Sequence, residues 1–262
     1  WENELDKDRT VRNTLEATFY TDFKFLKHFT FTLKGQTSMR NNVNDTYDNP
    51  TIGNGKGNNG RASQRLDRYR EYNFQQQLNW NREFDKHTVS ALLGHENYYW
   101  YHKYTHGRKA NIKVPGQENF SNFSAITSLS GYEEDYATES YLGRVRYNYD
   151  DKYTAEVSFR RDGSSRFARA VRWGNFGSVG ASWMVSREDF MKPVKWVNSL
   201  KLRADYGLVG NDAGSGLYSY LTFYGAAQNN NKGAFYLTQI GNDELKWETG
   251  ASFGLGVDAR LF

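Results

Sequence analysis

Residues 141–160 read YLGRVRYNYDDKYTAEVSFR. Tyr141, Gly143, Val145, Tyr147 and Tyr149 alternate with Leu142, Arg144, Arg146 and Asn148. After Asp150-Asp151-Lys152, Tyr153, Ala155, Val157 and Phe159 alternate with Thr154, Glu156, Ser158 and Arg160. Successive side chains of a strand point to opposite faces, so period two on both sides of a short turn describes an antiparallel hairpin. One of its faces is apolar and the other polar, and the two must meet different surroundings.

The same alternation recurs in both directions. Val11 to Phe19 and Phe29 to Gly35 form a first hairpin, and Tyr72 to Trp80 with Val89 to Leu93 a second. Val179 to Val185 pairs with Leu200 to Leu208, and Trp247 to Leu261 closes the series as a ninth strand. Connections alternate in length. Short turns fall near 22–27, 81–87, 150–152 and 186–199, and long loops at about 39–66, 98–138, 162–175 and 210–246. In an up-and-down sheet alternate connections lie at the same end, so all short turns share one side, as in outer-membrane barrels. Alternating runs of about 9 to 11 residues suit tilted strands crossing the hydrocarbon. The expected fold is therefore all-β, an antiparallel up-and-down transmembrane β-barrel. An open sheet leaves edge N–H and C=O groups unpaired in lipid. The nine strands over 1–262 are thus expected to be one partial β-barrel domain of a larger barrel.

Composition agrees with strands. Aromatics make up 16% of the 262 residues and there are only 3 Pro, a balance that favours long ladders. Mean hydropathy is −0.84, and no apolar run is long enough for a transmembrane helix, which leaves a β-barrel open because only alternate residues would face lipid. The absence of Cys removes disulfides and thiolate metal sites. A net charge of +4, spread along many strands, gives no nucleic-acid footprint. The chain opens Trp1-Glu2-Asn3-Glu4 without a basic and apolar leader, so a signal peptide has been removed or the segment is internal.

Several runs resemble one family. Arg160-Arg161-Asp162-Gly163-Ser164-Ser165-Arg166-Phe167, Arg172-Trp173-Gly174-Asn175-Phe176, Glu188 with Phe190-Met191, Leu200-Lys201-Leu202-Arg203-Ala204 through Tyr206-Gly207 to Gly210-Asn211, and Leu245-Lys246-Trp247-Glu248-Thr249 are similar to the SusC-type TonB-dependent transporters. The likeness is dense from about Tyr141 to Phe262. It departs from the family pattern at Gly177, where Pro is common, and at Asn242-Asp243-Glu244, which stands for an Asn-Pro. The resemblance implies a 22-stranded plugged barrel in the outer membrane of a Gram-negative bacterium. It also implies import of an oligosaccharide or peptide, a SusD-like surface lipoprotein as partner, and drive from the TonB complex through a plug and TonB box that this segment lacks. No cofactor and no enzymatic activity are implied. The alternative is a soluble β-rich carbohydrate-binding or adhesin module.

Beside that resemblance, the chain carries few local signals of chemistry. Gly53 to Gly60 lacks the leading glycine and the Ser or Thr of a phosphate loop and reads as a flexible connection. His95, His102 and His106 lie on strand and loop without a placed carboxylate, so no metal site is expected. Ser186 to Asp189 suggests a capped helical turn stopped by Pro193. Arg144, Arg146, Glu156, Arg160, Lys201, Arg203 and Asp205 are expected inside the barrel as a solvated wall with cross-strand ion pairs. Tyr98, Tyr99, Trp100, Tyr101 and Tyr104 are the first candidates for ligand or partner contact, because aromatic faces stack on sugar rings and peptide side chains. Tyr218, Tyr220, Phe223 and Tyr224 are the second, and Arg166 joins them.

Overall fold

The computed structural model describes residues 5–229 and 232–262. Residues 1–4, on which the reading of the N-terminus fell, and Asn230 and Asn231 of the 210–246 loop lie outside the described residues.

Among the described residues eleven strands follow one another: β1 (Lys7–Phe25), β2 (Phe29–Asp48), β3 (Arg61–Phe84), β4 (His87–Ile112), β5 (Phe123–Tyr149), β6 (Tyr153–Ser164), β7 (Trp173–Met184), β8 (Val197–Asn211), β9 (Phe223–Asn229), β10 (Lys232–Gln239) and β11 (Glu248–Leu261). Nine make one sheet in the order β1-β2-β3-β4-β5-β6-β7-β8-β11, while β9 and β10 form a separate two-stranded sheet among the described residues. The sheet is up-and-down, as the alternation required. Two points differ from expectation. The nine strands of that sheet run 12 to 27 residues, so the connections expected at 39–66, 98–138 and 162–175 shrink to 49–60, 113–122 and 165–172. Where water wets both faces of a strand, neither face has to be apolar. The period-two signal then fades although the ladder continues. The 210–246 connection, read as loop, holds the β9–β10 hairpin.

The chain packs as two units. One comprises 19–35, 73–98 and 136–262. Its register gives three apolar rows across β5, β6, β7, β8 and β11: Val145, Val157, Val179, Tyr206, Phe253; Tyr147, Ala155, Ala181, Ala204, Leu255; and Tyr149, Tyr153, Trp183, Leu202, Val257. Most of these side chains are exposed, an apolar band far too large for a water-facing surface. Aromatics close the band at both ends. Tyr153 stacks between Tyr149 and Trp183 at 6.4 Å from each on the short-turn side, and Tyr141 lies 6.1 Å from Trp173 on the other. The Trp173 ring packs at 3.1 Å over the place a Cβ would take on Gly163.

The intervening rows are polar: Arg146, Glu156, Gly180, Asp205, Gly254, then Arg144, Ser158, Ser178, Gly207, Ser252. Glu96 accepts from Asn73 Nδ2 at 3.1 Å and Gln75 Nε2 at 2.9 Å, and its other oxygen lies 3.5 Å from Arg160 Nη2. Of the charges expected to form cross-strand ion pairs, Arg160 pairs with Glu96 and Arg203 with Asp258. The turns are tight. Asp150 and Asp151 both take left-handed φ, 53° and 51°, as the central residues of the turn that the Lys152 amide closes on the Tyr149 carbonyl at 2.8 Å. The expected capped helical turn is instead two 3-10 turns, Val185–Arg187 and Asp189–Met191, without side-chain caps. Glu188 is drawn away from a capping role by the aromatic girdle, accepting from Trp183 Nε1 at 3.0 Å and from the Tyr153 hydroxyl at 2.5 Å.

The other unit comprises 1–18, 36–72 and 99–135. Its small core is Tyr47, Ala62, Ile112 and Phe123, with Phe120 packed against it. Gly60 meets this core at φ +78°, where a Cβ would lie 3.0 Å from the Ile112 side chain.

Candidate functional site

Within the first unit, the far end of the sheet from the short turns is held by three side chains around one carboxylate. Asp212 Oδ2 accepts from Ser164 Oγ at 2.6 Å and from the Tyr136 hydroxyl at 2.7 Å, and lies 3.8 Å from Arg166 Nε. The Arg166 guanidinium stands 4.8 Å over the Tyr136 ring and donates to the Ser215 carbonyl. Ser165 exchanges two hydrogen bonds with Ala137, each at 2.9 Å. Tyr136 lies beyond the apolar band. Burial, then the hydrogen bond to Asp212, push its phenol up to about 12. This latch ties β5 and the 165–172 loop to the root of the segment after β8. Arg166, expected as a ligand or partner contact, is placed inside it.

A second knot explains why the glycines of the quoted runs stand where they do. Phe176 lies over Gly174 and Gly210, where added Cβ atoms would fall 2.4 and 2.1 Å from its ring. Trp247 covers it edge-on at 5.4 Å, touches Phe167 at 5.6 Å, and donates from Nε1 to the Arg172 carbonyl at 2.8 Å. Tyr218 and Phe223 meet at 6.3 Å, Tyr220 is half-buried, and Tyr224 is exposed.

Strand alternation divides the first aromatic cluster. Tyr98, Trp100 and Tyr104 share one parity of β4, whereas Tyr99 and Tyr101 take the other, so the five do not form one platform. Tyr98, in the first unit, meets Tyr136 at 6.0 Å. In the second unit, Tyr99 stacks on Tyr72 at 5.1 Å. Burial, then the hydrogen bond that its hydroxyl donates to Glu133, raises the Tyr101 phenol above its ordinary value. Trp100 lies 5.9 Å from His102, and Tyr104 stacks on Tyr132 at 4.9 Å. His102 is the centre of this group: its ring stacks on Tyr69 at 4.3 Å, and its Nε2 is 2.9 Å from Asp67 Oδ1. Arg65 donates to the same Asp67 at 2.7 Å and lies 5.0 Å over Tyr104. Burial alone would raise the Asp67 carboxyl. The hydrogen bonds from Arg65 and His102 outweigh it and hold that carboxyl below the usual range.

The histidines are thus engaged in other work. His95 bonds Gln76 at 2.9 Å and Glu139 at 3.1 Å, and His106 stacks on Tyr104 at 6.3 Å. Among the described residues no group of three or more His, Cys, Asp or Glu could hold a metal ion. Sequence reasoning did not single out Asp67, Tyr136 or Asp212 as structural centres. The only signals were the family runs that contain Ser164 and end at Asn211, next to Asp212, and the placement of His102.

A family model described as TonB dependent receptor-like, beta-barrel, matches residues 1–262. TonB-dependent receptor P39 of Formosa agariphila is 30% identical over 256 residues, which cover 97% of this chain and 24% of that protein. TonB-dependent receptor SusC of Bacteroides thetaiotaomicron is 28% identical over 204 residues, 68% of this chain and 20% of its own length. Among solved structures, a chain of the RagAB peptide transporter superposes with a TM-score of 0.92 at 20% identity, covering 99% of this chain and 29% of that one. At that identity the likeness speaks for the fold. The chain spans about a quarter of the length of P39 and a fifth of that of SusC.

Proposed function

The chain belongs to the TonB dependent receptor-like β-barrel family, and on that premise we propose that it supplies barrel wall and external loops to an outer-membrane active transporter. The transporter imports oligosaccharides or peptides, is capped by a SusD-like surface lipoprotein, and is driven through TonB. One fold neighbour is described as a peptide transporter, which sets peptide beside the oligosaccharide that the SusC-type resemblance implies. The role is passage and recognition, with no chemistry performed on the cargo.

The observation that carries this reading is the division of one sheet into an exposed apolar band closed by two aromatic girdles and a polar face of ion pairs and small residues. On this reading the band faces lipid and the polar face lines the lumen. A soluble binding module has no use for such a band. Among the aromatics, Trp100 and Tyr104 share a parity and flank the Asp67–His102 pair. They are therefore the preferred ligand contacts over Tyr99 and Tyr101.

The test uses the full-length protein. Isolated from outer membranes in detergent, it is expected to shift mobility on heating in a denaturing gel and to bring a lipoprotein with it. Trp100→Ala is expected to lose uptake while barrel assembly, read by heat-modifiable mobility, stays intact. Unchanged uptake removes Trp100 from the ligand path.

A further inference from the structure

Within the second unit, one face carries guanidinium groups and aromatic rings side by side. Arg40 on β2, Arg61, Arg65 and Tyr69 on β3, and Arg108 on β4 share it by strand parity. Contacts across the strands agree: the Thr46 and Ser63 hydroxyls are hydrogen-bonded at 2.5 Å, and Tyr69 meets Trp100 at 6.4 Å. The four guanidinium groups are not equivalent. Arg61 Nε donates to Asp48 at 2.6 Å, and Arg65 donates to Asp67. Arg40 and Arg108 have no carboxylate partner among the described residues, and in each of them Nε is shielded from solvent and meets no acceptor there. A buried donor of this kind has lost its water without a replacement, and the site calls for one.

Both unmatched groups are held in place without an anion. The Arg40 guanidinium stands 4.3 Å over the Tyr69 ring, which stacks in turn on His102 at 4.3 Å. Stacking covers one face of the guanidinium and orients its planar fork, so little freedom remains to be lost when an acceptor arrives. Arg108 lines a depression of about 390 Å³ with Arg61, Ser63 and Thr46, within the range of small-ligand pockets. The carboxylates around it are engaged: Asp48 by Arg61, Asp6 by the Asn49 amide at 2.7 Å, and Asp8 by Asn44 Nδ2 at 2.6 Å. Lys7 there bonds Glu118. Among the described residues, Arg108 is thus the cation of this depression left for an acceptor from outside. Ser63, beside Arg108, and Tyr69, under Arg40, are six residues apart on β3. The two donors are therefore separated by about 20 Å along the strand, at about 3.4 Å per residue, and the Arg65–Tyr104 stack lies between them. That spacing fits an extended chain and not a single small ion.

We propose that this face selects acidic cargo, an extended chain whose carboxylates are taken by Arg40 and Arg108 while its residues lie over Tyr69 and Tyr104. The proposal rests on the import reading above and deepens it by naming the chemical class. That reading sets peptide beside oligosaccharide, and the carboxylate is the anion that both can carry, on acidic side chains or on uronic acids. Asp48 and Asp67 already occupy the two neighbouring guanidinium groups in this way.

The experiment titrates the full-length protein, purified from outer membranes in detergent, at low and high salt by calorimetry. The probes are hexaglutamate and hexagalacturonate, with hexaglutamine and methyl-esterified hexagalacturonate as their neutral counterparts. Arg40→Gln and Arg108→Gln are compared with wild type and with Arg68→Gln, which removes the same charge from the opposite face of β3, and heat-modifiable mobility confirms barrel assembly. At least one acidic hexamer is expected to bind about tenfold or more tightly than its neutral counterpart, and to weaken in high salt. Arg40→Gln and Arg108→Gln should each lower that affinity about tenfold, as loss of a charged hydrogen bond does, and Arg68→Gln should leave it unchanged. Preference for hexaglutamate identifies the source as peptide, and preference for hexagalacturonate identifies it as sugar. Neutral hexamers bound as tightly as acidic ones overturn the proposal and leave the import reading standing. Acidic binding that survives both substitutions, or that falls equally in Arg68→Gln, does the same. A wild-type protein that binds none of the four overturns the proposal and the cargo reading together.

Discussion

Placing arginine at Val157 tests the assignment of the two faces most directly. Val157 lies between Val145 and Val179 in one of the apolar rows, and it is 56% exposed. On β6 it stands four residues from Tyr153 in one girdle and four from Arg161, which opposes Tyr141 in the other. That separation is about 27 Å along the strand at about 3.4 Å per residue, or about 20 Å along the normal for a tilt of about 40°. Val157 is therefore at mid-depth, where an arginine facing lipid costs about 2 to 4 kcal/mol. Glu156, one residue away, opposes Arg146 and Gly180. Glu156→Arg removes an attraction and sets like charges across a strand pair, worth about 0.2 to 1 kcal/mol. Equilibrium unfolding of the full-length protein from lipid vesicles in guanidinium, followed by tryptophan fluorescence, measures both. Equal losses at the two positions, or a greater loss at Glu156, would refute the facing of the sheet.

Two further expectations follow from the mouth of the barrel. Gly210→Ala places a methyl group 2.1 Å from the Phe176 ring; displacing that ring from Trp247 is expected to cost about 1 to 3 kcal/mol, seen as a lower midpoint in the same unfolding experiment, whereas Gly214→Ala, with open space around it, should be silent. Tyr136 has a folded pKa above its unfolded value, so the neutral phenol stabilises the latch fully below about 10, and that contribution is lost as pH rises through about 12. A tyrosine ultraviolet titration should contain one late-ionising phenol that disappears in Tyr136→Phe, and an ordinary titration in the wild type would exclude the buried latch.

The strands of the band were legible because lipid on one side forces a strict alternation, so Tyr141 to Arg160 declared its turn, its register and both faces. The same rule concealed what lies beyond the band. Met39 to Asp48 and Tyr98 to Ile112 are strand, yet polar residues fall on both parities and the pattern carries no period. The candidate aromatics were found by type, but treating Tyr98 to Tyr104 as loop hid their separation onto two faces. Asp212 was invisible for a different reason: its partners Tyr136 and Ser164 stand 76 and 48 positions away, and no local pattern announces a long-range carboxylate acceptor. His102 stands out by residue type, but its pairing with Asp67 depends on the alignment of β3 with β4, which composition does not fix.

Asn211 pairs with Glu248 across the whole excursion 212–247, just as Tyr149 pairs with Tyr153 across 150–152. The first connection is roughly twelvefold longer than the second, yet closing it costs only about 2 kcal/mol more, because loop entropy grows with the logarithm of length. The hydrogen bonds from Tyr136 and Ser164 to the Asp212 carboxylate, about 1.5 to 3 kcal/mol each for a charged acceptor, offset that difference. Wall and display are therefore energetically separable. A lineage, or an experimenter, can lengthen, shorten or exchange what stands between Asp212 and Trp247 without retuning the strands that hold it.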